Sequence, residues 1–391
     1  MSQLLNERWS ETKDALLEGL QGNRRASMSV CLENTRKHLA ESATAGATSS
    51  GNIATLNRVI LPVIRRVMPT VIANEIVGVQ PMTGPVAQIH TLRVRYADSG
   101  DGVTAGEEAL SPFKIAAAYS GNNVNATPKA QTTAVLEGQP GKRMSIQILK
   151  APVEAKSRKL SARWTFEAAQ DAQAQQGIDI EAEIMAALAQ EITAEIDQEV
   201  LASLRSLGSV EQTYDQAAVS GTATFVGDEH AALAVQINRV ANLIAQRTRR
   251  GAANWAVISN QALTILQSAT TSAFARTTEG TFEAPTNTKF VGTLNNSMRI
   301  YVDAYLSDTD DNNQVLVGYK GASEADAAAF YCPYIPLMSS GVVLDPNTFE
   351  PVVGFLTRYG YVELTNTASS LGNAADYLGK VAITSANVSF R

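Results

Sequence analysis

The chain of 391 residues is 45% hydrophobic, which is enough apolar content to bury one large core or two smaller cores that lie close together. Its 38 acidic and 32 basic side chains give a formal net charge of −6, and without a long basic run nucleic acid is not expected as a specific ligand. No stretch approaches the roughly 18 consecutive apolar residues of a membrane span, and Glu7 and Arg8 lie where a signal peptide would be apolar, so we expect no membrane partner.

Cysteine and histidine are both scarce. Cys31 and Cys332 lie far apart and have neither the spacing of paired metal-ligand motifs nor that of a disulfide framework. We therefore expect a reducing, cytoplasmic folding compartment. The three histidines, His38, His90 and His230, are too widely separated to predict a metal or catalytic site.

The N-terminal residues 1–41 predict two amphipathic helical pieces. Apolar side chains recur there at near-helical spacing among charges of both signs, at Leu5, Trp9, Leu16 and Leu20. Gly22-Asn23 interrupts this pattern and separates the two pieces. The small polar residues of Ser42–Asn52 bury too little apolar surface to offset the entropy of ordering them, so this stretch predicts a flexible hinge.

An extended arm with a short helical segment is predicted after the hinge. Residues 53–79 are apolar again, and Pro62 and Pro69 prevent one long helix. The prolines and glycine of residues 80–85 then force a turn.

Two strands are predicted at Val86–Tyr96 and Met144–Trp164, where β-branched and aliphatic residues partly alternate with polar ones. About forty residues rich in Gly, Asn, Ala, Thr and Pro separate them, which is too long for an ordinary hairpin turn. The sequence therefore predicts a projecting loop or functional arm between the two strands.

A helix from Ile180 to Leu207 is the most informative element. Its apolar residues repeat every fourth position, at Ile180, Ile184, Leu188, Ile192, Ile196, Val200 and Leu204. Because a step of four residues overshoots one turn by about 40°, the stripe winds around a helix roughly 40 Å long and must meet different neighbours along its length. The pattern predicts a diagonal spine that crosses a sheet. The line of Glu191, Glu195 and Glu199 is expected to be a solvated or intersubunit face rather than a catalytic cluster.

The C-terminal half predicts a mixture of helices and strands. A second amphipathic helix is expected from Glu229 to about Thr248, since cations and Gly251 end it. A buried strand at 255–259, a short helix at 260–266 and further strands follow, at 298–303, 315–319, 355–364 and 381–390. Helices and strands do not alternate regularly, so the α+β class is favoured over a doubly wound parallel sheet.

No catalytic, cofactor or metal site is predicted. The sequence has no GxxxxGK(S/T), HExxH or GxSxG motif. Residues 100–105 loosely match a dinucleotide fingerprint, but no convincing helix opens after them, so we expect a loop. Residues 308–313 resemble the start of a calcium loop, yet Asn313 replaces the required glycine and Tyr319 the closing glutamate, which favours an acidic turn. The pairs Arg65-Arg66 and Arg249-Arg250 are expected to contact carboxylates rather than DNA.

Several runs of residues resemble the major capsid proteins of T-even type myoviruses. They are NEIVGVQPMTGP at 74–85, RTRRGAANW at 247–255, GYKGAS at 318–323, YCPYIP at 331–336 and GFLTRYG at 354–360, with Trp164-Thr165, Glu167, Gln170-Asp171, Gly177 and Asp179 before the long helix. The resemblance covers most of the chain from about Leu39 to Tyr361 in family order. The C-terminal residues 362–391 resemble the family less clearly.

The resemblance implies the HK97-like phage capsid fold. Its expected parts are a helical N-terminal propeptide that contacts a scaffold (1–41), an N-terminal arm (42–85), an extended hairpin or E-loop (86–155), a peripheral domain with the long spine helix (156–224), an axial domain (225–345) and a return to the peripheral domain (346–391). In this fold the extended hairpin lies across a neighbouring subunit. The chain is shorter than the larger members of the family, so we expect it to lack the outer domain inserted in some of them.

The resemblance also implies removal of the N-terminal segment by a prohead protease, after Leu or Ile, any residue, and Glu. The pattern occurs at Leu5-Asn6-Glu7, Leu16-Leu17-Glu18 and Leu39-Ala40-Glu41, and nowhere after residue 41. The last copy adjoins the predicted hinge, and proteases need an extended, accessible strand. We therefore predict cleavage between Glu41 and Ser42, with Leu39 and Glu41 as recognition residues. The alternative is that Glu41 is merely a charged residue near a helix end.

The function that the resemblance implies is structural rather than enzymatic. Copies of the chain would form hexamers and then an icosahedral or prolate head enclosing double-stranded DNA, in the capsid shell of a virion assembled in the host cytoplasm. Expected partners are neighbouring capsomers, a vertex protein, scaffold or core proteins, the prohead protease, the portal, DNA held non-specifically and decoration proteins. Two alternatives stay open: a pentameric vertex protein of the same fold, and an encapsulin-type compartment shell, against which the protease motifs argue.

Overall fold

The computed structural model describes residues 9–10, 13–14, 16–17, 20, 22–45, 72–100, 103–107, 109, 119–124, 127–137, 141–176, 179–219, 226–248, 250–269, 274–276, 289–295, 297–306, 313–324, 326–348, 350–364 and 374–384. Its main helices are α1 (Gly22–Ala45), α2 (Ala73–Ile76), α3 (Thr133–Leu136), α4 (Phe166–Gln176), α5 (Ile180–Leu207), α6 (Gln216–Val219), α7 (Val226–Thr248) and α8 (Asn260–Ser268). Its strands are β1 (Gly78–Val79), β2 (Val86–Tyr96), β3 (Asn122–Val124), β4 (Thr127–Lys129), β5 (Met144–Glu154), β6 (Lys156–Arg163), β7 (Val210–Tyr214), β8 (Trp255–Ile258), β9 (Phe274–Arg276), β10 (Lys289–Leu294), β11 (Met298–Val302), β12 (Gln314–Gly318), β13 (Ala329–Leu344), β14 (Pro351–Glu363) and β15 (Leu378–Ile383). The predicted α+β class is confirmed.

A four-stranded sheet has the strand order β1-β13-β14-β6. The β1 strand runs parallel to β13, and the other pairs are antiparallel. Because side chains alternate along a strand, the two faces of this sheet belong to different cores. Phe355 and Tyr359 of β14 pack in the core that includes α1 and α5, whereas Phe330 and Cys332 of β13 pack in a smaller core beneath β2 and β5.

The strands β2 and β5 form an antiparallel ribbon, and each contributes eleven residues. The ribbon is a separate two-stranded sheet that pairs with neither of the larger sheets. Its base contacts the body, where Met82, Ile89 and Val153 are buried against β13. A side chain at Gly360 would collide with Val153, so glycine at that position of β14 lets the base approach closely.

A seven-stranded sheet has the order β7-β15-β12-β8-β11-β10-β9. The pairs β8/β11 and β7/β15 are parallel, and the rest are antiparallel. Both faces of its central strand β8 are buried: Trp255 and Val257 face the core shared with α5, while Ala256 and Ile258 face α7 and α8. The Trp255 ring occupies the space where Gly318 of β12 lacks a side chain.

The helix α5 begins and ends at the predicted residues, Ile180 and Leu207. Asp179 caps its N-terminus, since the Asp179 Oδ1 atom accepts the N–H of Glu181 at 3.1 Å. The predicted apolar stripe is buried along most of its length, at Leu188, Ile192, Ile196, Val200 and Leu204. The sequence prediction of a long amphipathic helix is confirmed.

The winding stripe of α5 reaches both large sheets. Its buried residues share one core with Phe355 of the four-stranded sheet and with Trp255 of the seven-stranded sheet. Near the C-terminal end of α5, Arg205 binds the fully buried carboxylate of Asp303, which follows β11, with 2.6 Å between Nη2 and Oδ2. The predicted spine therefore crosses from one sheet to the other.

The sequence analysis missed β13. This strand contains Pro333 and Pro336, although proline cannot donate a hydrogen bond to a strand ladder. The pairing of β13 with β14 shifts register between Pro333 and Ile335 and again between Ile335 and Met338. Each proline thus lies at an irregularity, where a strand tolerates the missing donor.

Strand pairing divides the chain differently from the predicted ranges. The β13 strand lies inside the range 225–345 but pairs in the four-stranded sheet, whereas β7 and β15, from the ranges 156–224 and 346–391, pair in the seven-stranded sheet. Chain order does not determine which sheet edge a strand joins, and the predicted domain ranges stay a prediction. The strand predicted at 144–164 is two strands separated at Ala155, and the last strand lies at Leu378–Ile383 rather than 381–390, of which 385–391 lie outside the described residues.

Asp197 is a buried carboxylate on α5. Its Oδ1 atom accepts the N–H of Ile72 at 2.8 Å. Burial raises the pKa of this carboxyl to about 7; the Ile72 hydrogen bond opposes the rise, and the charge of Asp303 adds to it.

The free energy of unfolding of the wild-type subunit should fall as the pH rises, because Asp197 must ionise in a buried place. We predict that this fall is absent in Asp197→Asn. An aspartate has a pKa of about 3.9 in the unfolded chain, so between roughly pH 4 and pH 7 the folded chain binds more protons and its stability falls with rising pH. Urea unfolding of the dispersed subunit at pH 5 and pH 8 measures this, with the exposed Asp171→Asn as control. A stability difference between wild type and Asp197→Asn that is equal at both pH values contradicts the prediction.

Candidate assembly surfaces and the N-terminal segment

One face of the ribbon is apolar and exposed. Met144, Ile146 and Ile148 alternate along β5 and are 52%, 68% and 61% exposed. Ile146 pairs with Val94 across the ribbon, which places an apolar neighbour on the same face. An exposed apolar strip on a projecting element marks an interaction surface, because water contact with it is unfavourable.

A second exposed apolar surface lies at the tip of the β13–β14 hairpin, which we define as residues 340–350. Val342, Val343 and Leu344 are exposed there. The turn is closed by a hydrogen bond from Asp345 N to Glu350 O at 3.0 Å. Sequence reasoning missed this surface, because it depends on the pairing of β13, which was not predicted.

The segment from Ala73 to Val79, part of the first run that resembles the capsid family, joins the two large sheets. Glu75 of α2 binds Arg299 of β11, with 2.9 Å between Oε2 and Nη1, and also pairs with Arg24 of α1. Val79 pairs with β13 on the other side. This stretch is therefore a structural junction between the sheets and α1.

The helix α1 packs on the body of its own chain. Met28, Cys31 and Leu32 are fully buried in the core of α5. Leu16 and Leu17, before α1, lie in the same core. The described apolar residues of the N-terminal segment thus pack on their own subunit, and contact of this segment with a scaffold stays a prediction.

The predicted processing residues Leu39, Glu41 and Ser42 lie within α1. The helix continues to Ala45, so the expected hinge does not begin at Ser42; residues 46–52 lie outside the described part of the chain. The sequence analysis took the small residues here as a sign of flexibility. Alanine, however, favours the helical conformation, and α1 continues through residues 42–45.

The glutamate line of α5 is used within the subunit. Arg158 of β6 binds Glu195 at 2.8 Å and Glu199 at 2.5 Å, and its Nε donates to the Tyr359 hydroxyl at 2.6 Å. Burial alone would raise the pKa of Glu199, but the hydrogen bonds from Arg158 and Tyr359 bring it below its ordinary value. These contacts hold β6 and β14 on α5, so Glu195 and Glu199 are bound within the subunit, whereas the sequence analysis expected a solvated or intersubunit face.

The dinucleotide-like run, the calcium-like run and the arginine pairs have local structural roles at the positions that the structure describes. Gly100 and Val103 exchange backbone hydrogen bonds of 2.8 and 3.0 Å in a tight loop, as expected. Asn313, at the glycine position of the calcium-like run, is buried and accepts the Ser259 hydroxyl at 2.7 Å, whereas residues 307–312 lie outside the described part. Arg250 binds Asp326, and Arg65, Arg66 and Arg249 lie outside the described residues.

The described residues provide neither a membrane-spanning helix nor a metal site. None of the helices described is both long and apolar enough to span a bilayer. Among the same residues, no three His, Cys, Asp or Glu side chains lie close enough to hold a metal ion. His230 is buried and His90 is exposed, at separate places in the fold.

A subunit whose two sheets share one core, and from which an apolar ribbon and an apolar hairpin tip project, is typical of a structural protein that its neighbours complete. The family model described as "Major capsid protein Gp23" matches residues 53–383. The chain belongs to this family of phage major capsid proteins.

Curated relatives that bear the name major capsid protein support the assignment. The protein of Vibrio phage KVP40 is 28% identical, with 85% of this chain and 81% of the relative covered. That of Enterobacteria phage T4 is 28% identical, with 81% and 77% covered, and that of Salmonella phage ViI is 30% identical, with 83% and 80% covered. The chain is thus a structural protein of the head shell, and the capsid of the virion is its location.

Solved phage capsids align over most of the chain at low similarity. "The capsid of Myoviridae Phage XM1" is 9% identical with a TM-score of 0.41, and covers 78% of this chain and 88% of that one. The "Asymmetric unit of bacteriophage PhiM1 mature capsid" is 14% identical with a TM-score of 0.45, and covers 79% and 85%. At these scores the family assignment rests on the sequence matches.

We predict that the exposed ribbon residues do not support the fold of the subunit. Ile148→Ala should change the free energy of unfolding by less than about 0.5 kcal/mol, because its side chain is largely in water already. Ile192→Ala, the same change at a buried position of α5, should cost about 2–5 kcal/mol. Chemical unfolding of dispersed subunits compares the two, and a cost at Ile148 equal to that at Ile192 contradicts the prediction.

Proposed function

We propose that the apolar face of the ribbon packs on a second copy of the chain and thereby builds hexamers of the head shell. The observation that carries the proposal is the row Met144, Ile146 and Ile148, which is more than half exposed on a strand that projects from the core. A natural sequence keeps such a row exposed in the subunit when another surface buries it in the assembly. The HK97-like arrangement, in which the extended hairpin lies across a neighbour, is consistent with this use.

The contact would be head-to-tail. The ribbon and the surface that receives it are different patches of the same chain, so each copy gives one and accepts one. Such a heterologous contact closes into a ring when the rotation from one copy to the next is a whole fraction of a full turn, such as one sixth for a hexamer. The hairpin tip, with exposed Val342, Val343 and Leu344 on another element, offers a separate surface for joining neighbouring rings into a shell.

The shell would need its other components at distinct sites. Vertex protein, portal, scaffold or core proteins, prohead protease and decoration proteins are the partners that the family resemblance implies, and packaged double-stranded DNA would be held non-specifically. The shell itself would be icosahedral or prolate. The number of copies per particle separates the hexamer-forming protein from a pentameric vertex protein, which is scarce.

A role without catalysis is consistent with the burial and protonation of the two cysteine thiols, Cys31 and Cys332. Burial raises the pKa of Cys31 to about 12 and that of Cys332 to about 12, so both are protonated at neutral pH and poor nucleophiles. Neither has an exposed side chain. We infer that the protein acts through contacts between copies.

We predict that Ile148→Lys abolishes shell assembly while leaving the subunit folded. A lysine on the apolar face places an unpaired charge in the proposed contact, where desolvation is costly. Gln147→Lys is the matched control, because it adds the same charge to the next residue, which points to the opposite face of the ribbon. Electron microscopy of the expressed proteins scores tubes, sheets and shells, and shells formed equally well by Ile148→Lys contradict the proposal.

We also propose that maturation removes the segment up to Glu41. The last turn of α1 carries no basic residue and its first turn no acidic one, so neither end is stabilised by the helix dipole. The last turns can therefore open locally into the extended form that a protease needs. Leu39 and Glu41 would be the recognition residues, and Ser42 the new N-terminus.

We predict that the protein in mature particles begins at Ser42. Glu41→Gln should block this cleavage because it removes the recognised carboxylate, whereas Glu18→Gln, in another copy of the pattern, should not. Mass spectrometry of purified particles gives the N-terminus directly. A mature chain that still begins at Met1 or Ser2 would rule the processing out.

A further inference from the structure

One side chain of α1 connects two other parts of the subunit. The amide Nδ2 of Asn34 donates to Met82 O at 2.6 Å and to Tyr334 O at 3.1 Å. Tyr334 belongs to β13, whereas Met82 lies just before β2, at the base of the ribbon. The Asn34 side chain is buried, so these bonds form in a place closed to bulk water.

The base of the ribbon is held on the body at the same place. Met82 N donates to Pro333 O at 3.0 Å, and Gln80 N donates to Tyr331 O at 3.1 Å. The Met82 side chain is buried with Ile89 and Val153 of the ribbon. If Asn34 leaves, the Met82 carbonyl loses its donor, and an unpaired buried carbonyl disfavours the closed position of the base.

The helix that carries Asn34 is itself joined to the core by side chains. Cys31 and Leu32 are fully buried against the core of α5, and Cys31 Sγ lies 3.8 Å from Pro333 O. These contacts are non-covalent, so a cut near the C-terminal end of α1 allows the part of the helix before the cut, which includes Asn34, to leave.

We propose that α1 is a detachable clamp: in the uncut chain Asn34 holds the base of the ribbon on β13, and departure of α1 releases the base so that the ribbon can change its angle to the four-stranded sheet. The event that removes α1 rests on the processing proposed above. The clamp contact is a property of the uncut chain and can be tested without processing.

Cys332 reports the position of the base. It lies in the small core formed with Met82, Ile89 and Val153, and is 1% exposed. A reagent reaches this thiol when the base lifts from β13. Cys31 is replaced by alanine in every protein compared, so that Cys332 is the chain's remaining cysteine.

The test compares the rate of Cys332 alkylation by iodoacetamide in the uncut full chain, in Asn34→Asp and in Lys37→Ala. Asn34→Asp keeps the size of the side chain but removes both donors, and should raise the rate by about tenfold, as the loss of two buried hydrogen bonds implies. Lys37→Ala alters an exposed residue of the same helix and should leave the rate unchanged. Hydrogen exchange of the buried strand β8 shows that each protein is folded.

Alkylation in Asn34→Asp that is no faster than in Lys37→Ala overturns the proposal, and so does faster exchange throughout β8, which would indicate general destabilisation. A second measurement inserts a specific protease site after Ala45 and cuts the purified chain. Loss of the fragment containing α1 should be accompanied by the same rise in alkylation, and continued protection of Cys332 after that loss also overturns the proposal. Particles that keep Met1 would refute processing after Glu41 and leave the Asn34 result intact.

Discussion

Burial of the winding apolar stripe of α5 is the constraint on which the rest of the structure depends. A stripe that drifts around a helix cannot be covered by one flat layer, so two sheets must meet along α5. Phe355 from one sheet and Trp255 from the other therefore belong to the same core. The ion pair of Arg205 with the buried Asp303 and the contacts of Arg158 with Glu195 and Glu199 hold strands of both sheets on the same helix.

The parts that lie outside this core explain how a subunit of this family can serve a shell. The ribbon contacts the body at its base and leaves Ile146 and Ile148 in water. Apolar surface of that kind is an unfavourable feature of an isolated subunit and a favourable one in an assembly, where a neighbour covers it. The fold thus separates two tasks: α5 and the sheets stabilise the subunit, and the projecting elements are available to join copies.

In the uncut chain, the N-terminal segment is one of the elements that stabilise the subunit. Met28, Cys31 and Leu32 add to the core of α5, and Asn34 reaches the base of the ribbon. A segment that stabilises the subunit and also touches a projecting element is well placed to connect chain processing with the shape of that element. Because the apolar side chains of this segment are buried on its own subunit, the amphipathic pattern of the segment does not by itself require a partner protein.

The sequence by itself determined the elements whose signal is local. The four-residue repeat defined α5 from Ile180 to Leu207, because periodicity depends on neighbours within one element. The alternating run at 86–96 defined one ribbon strand, whereas the run at 144–164 combined the second ribbon strand with β6. The runs that resemble the capsid family indicated the function. The sequence could not show that β13 contains prolines at register shifts, since a bulge exists only relative to a partner strand.

Tertiary structure decided what depends on residues far apart in the chain. Burial of α1 on its own subunit requires β13, some 300 residues away, as the separation of 302 between Cys31 and Pro333 illustrates. The exposed hairpin tip exists because β13 and β14 pair beyond the edge of the core, and the assignment of β7 and β15 to the seven-stranded sheet follows from which edges were open. Local pattern carries the identity of an element, whereas pairing and exposure are properties of the assembled chain, and for that reason they were settled only by the fold.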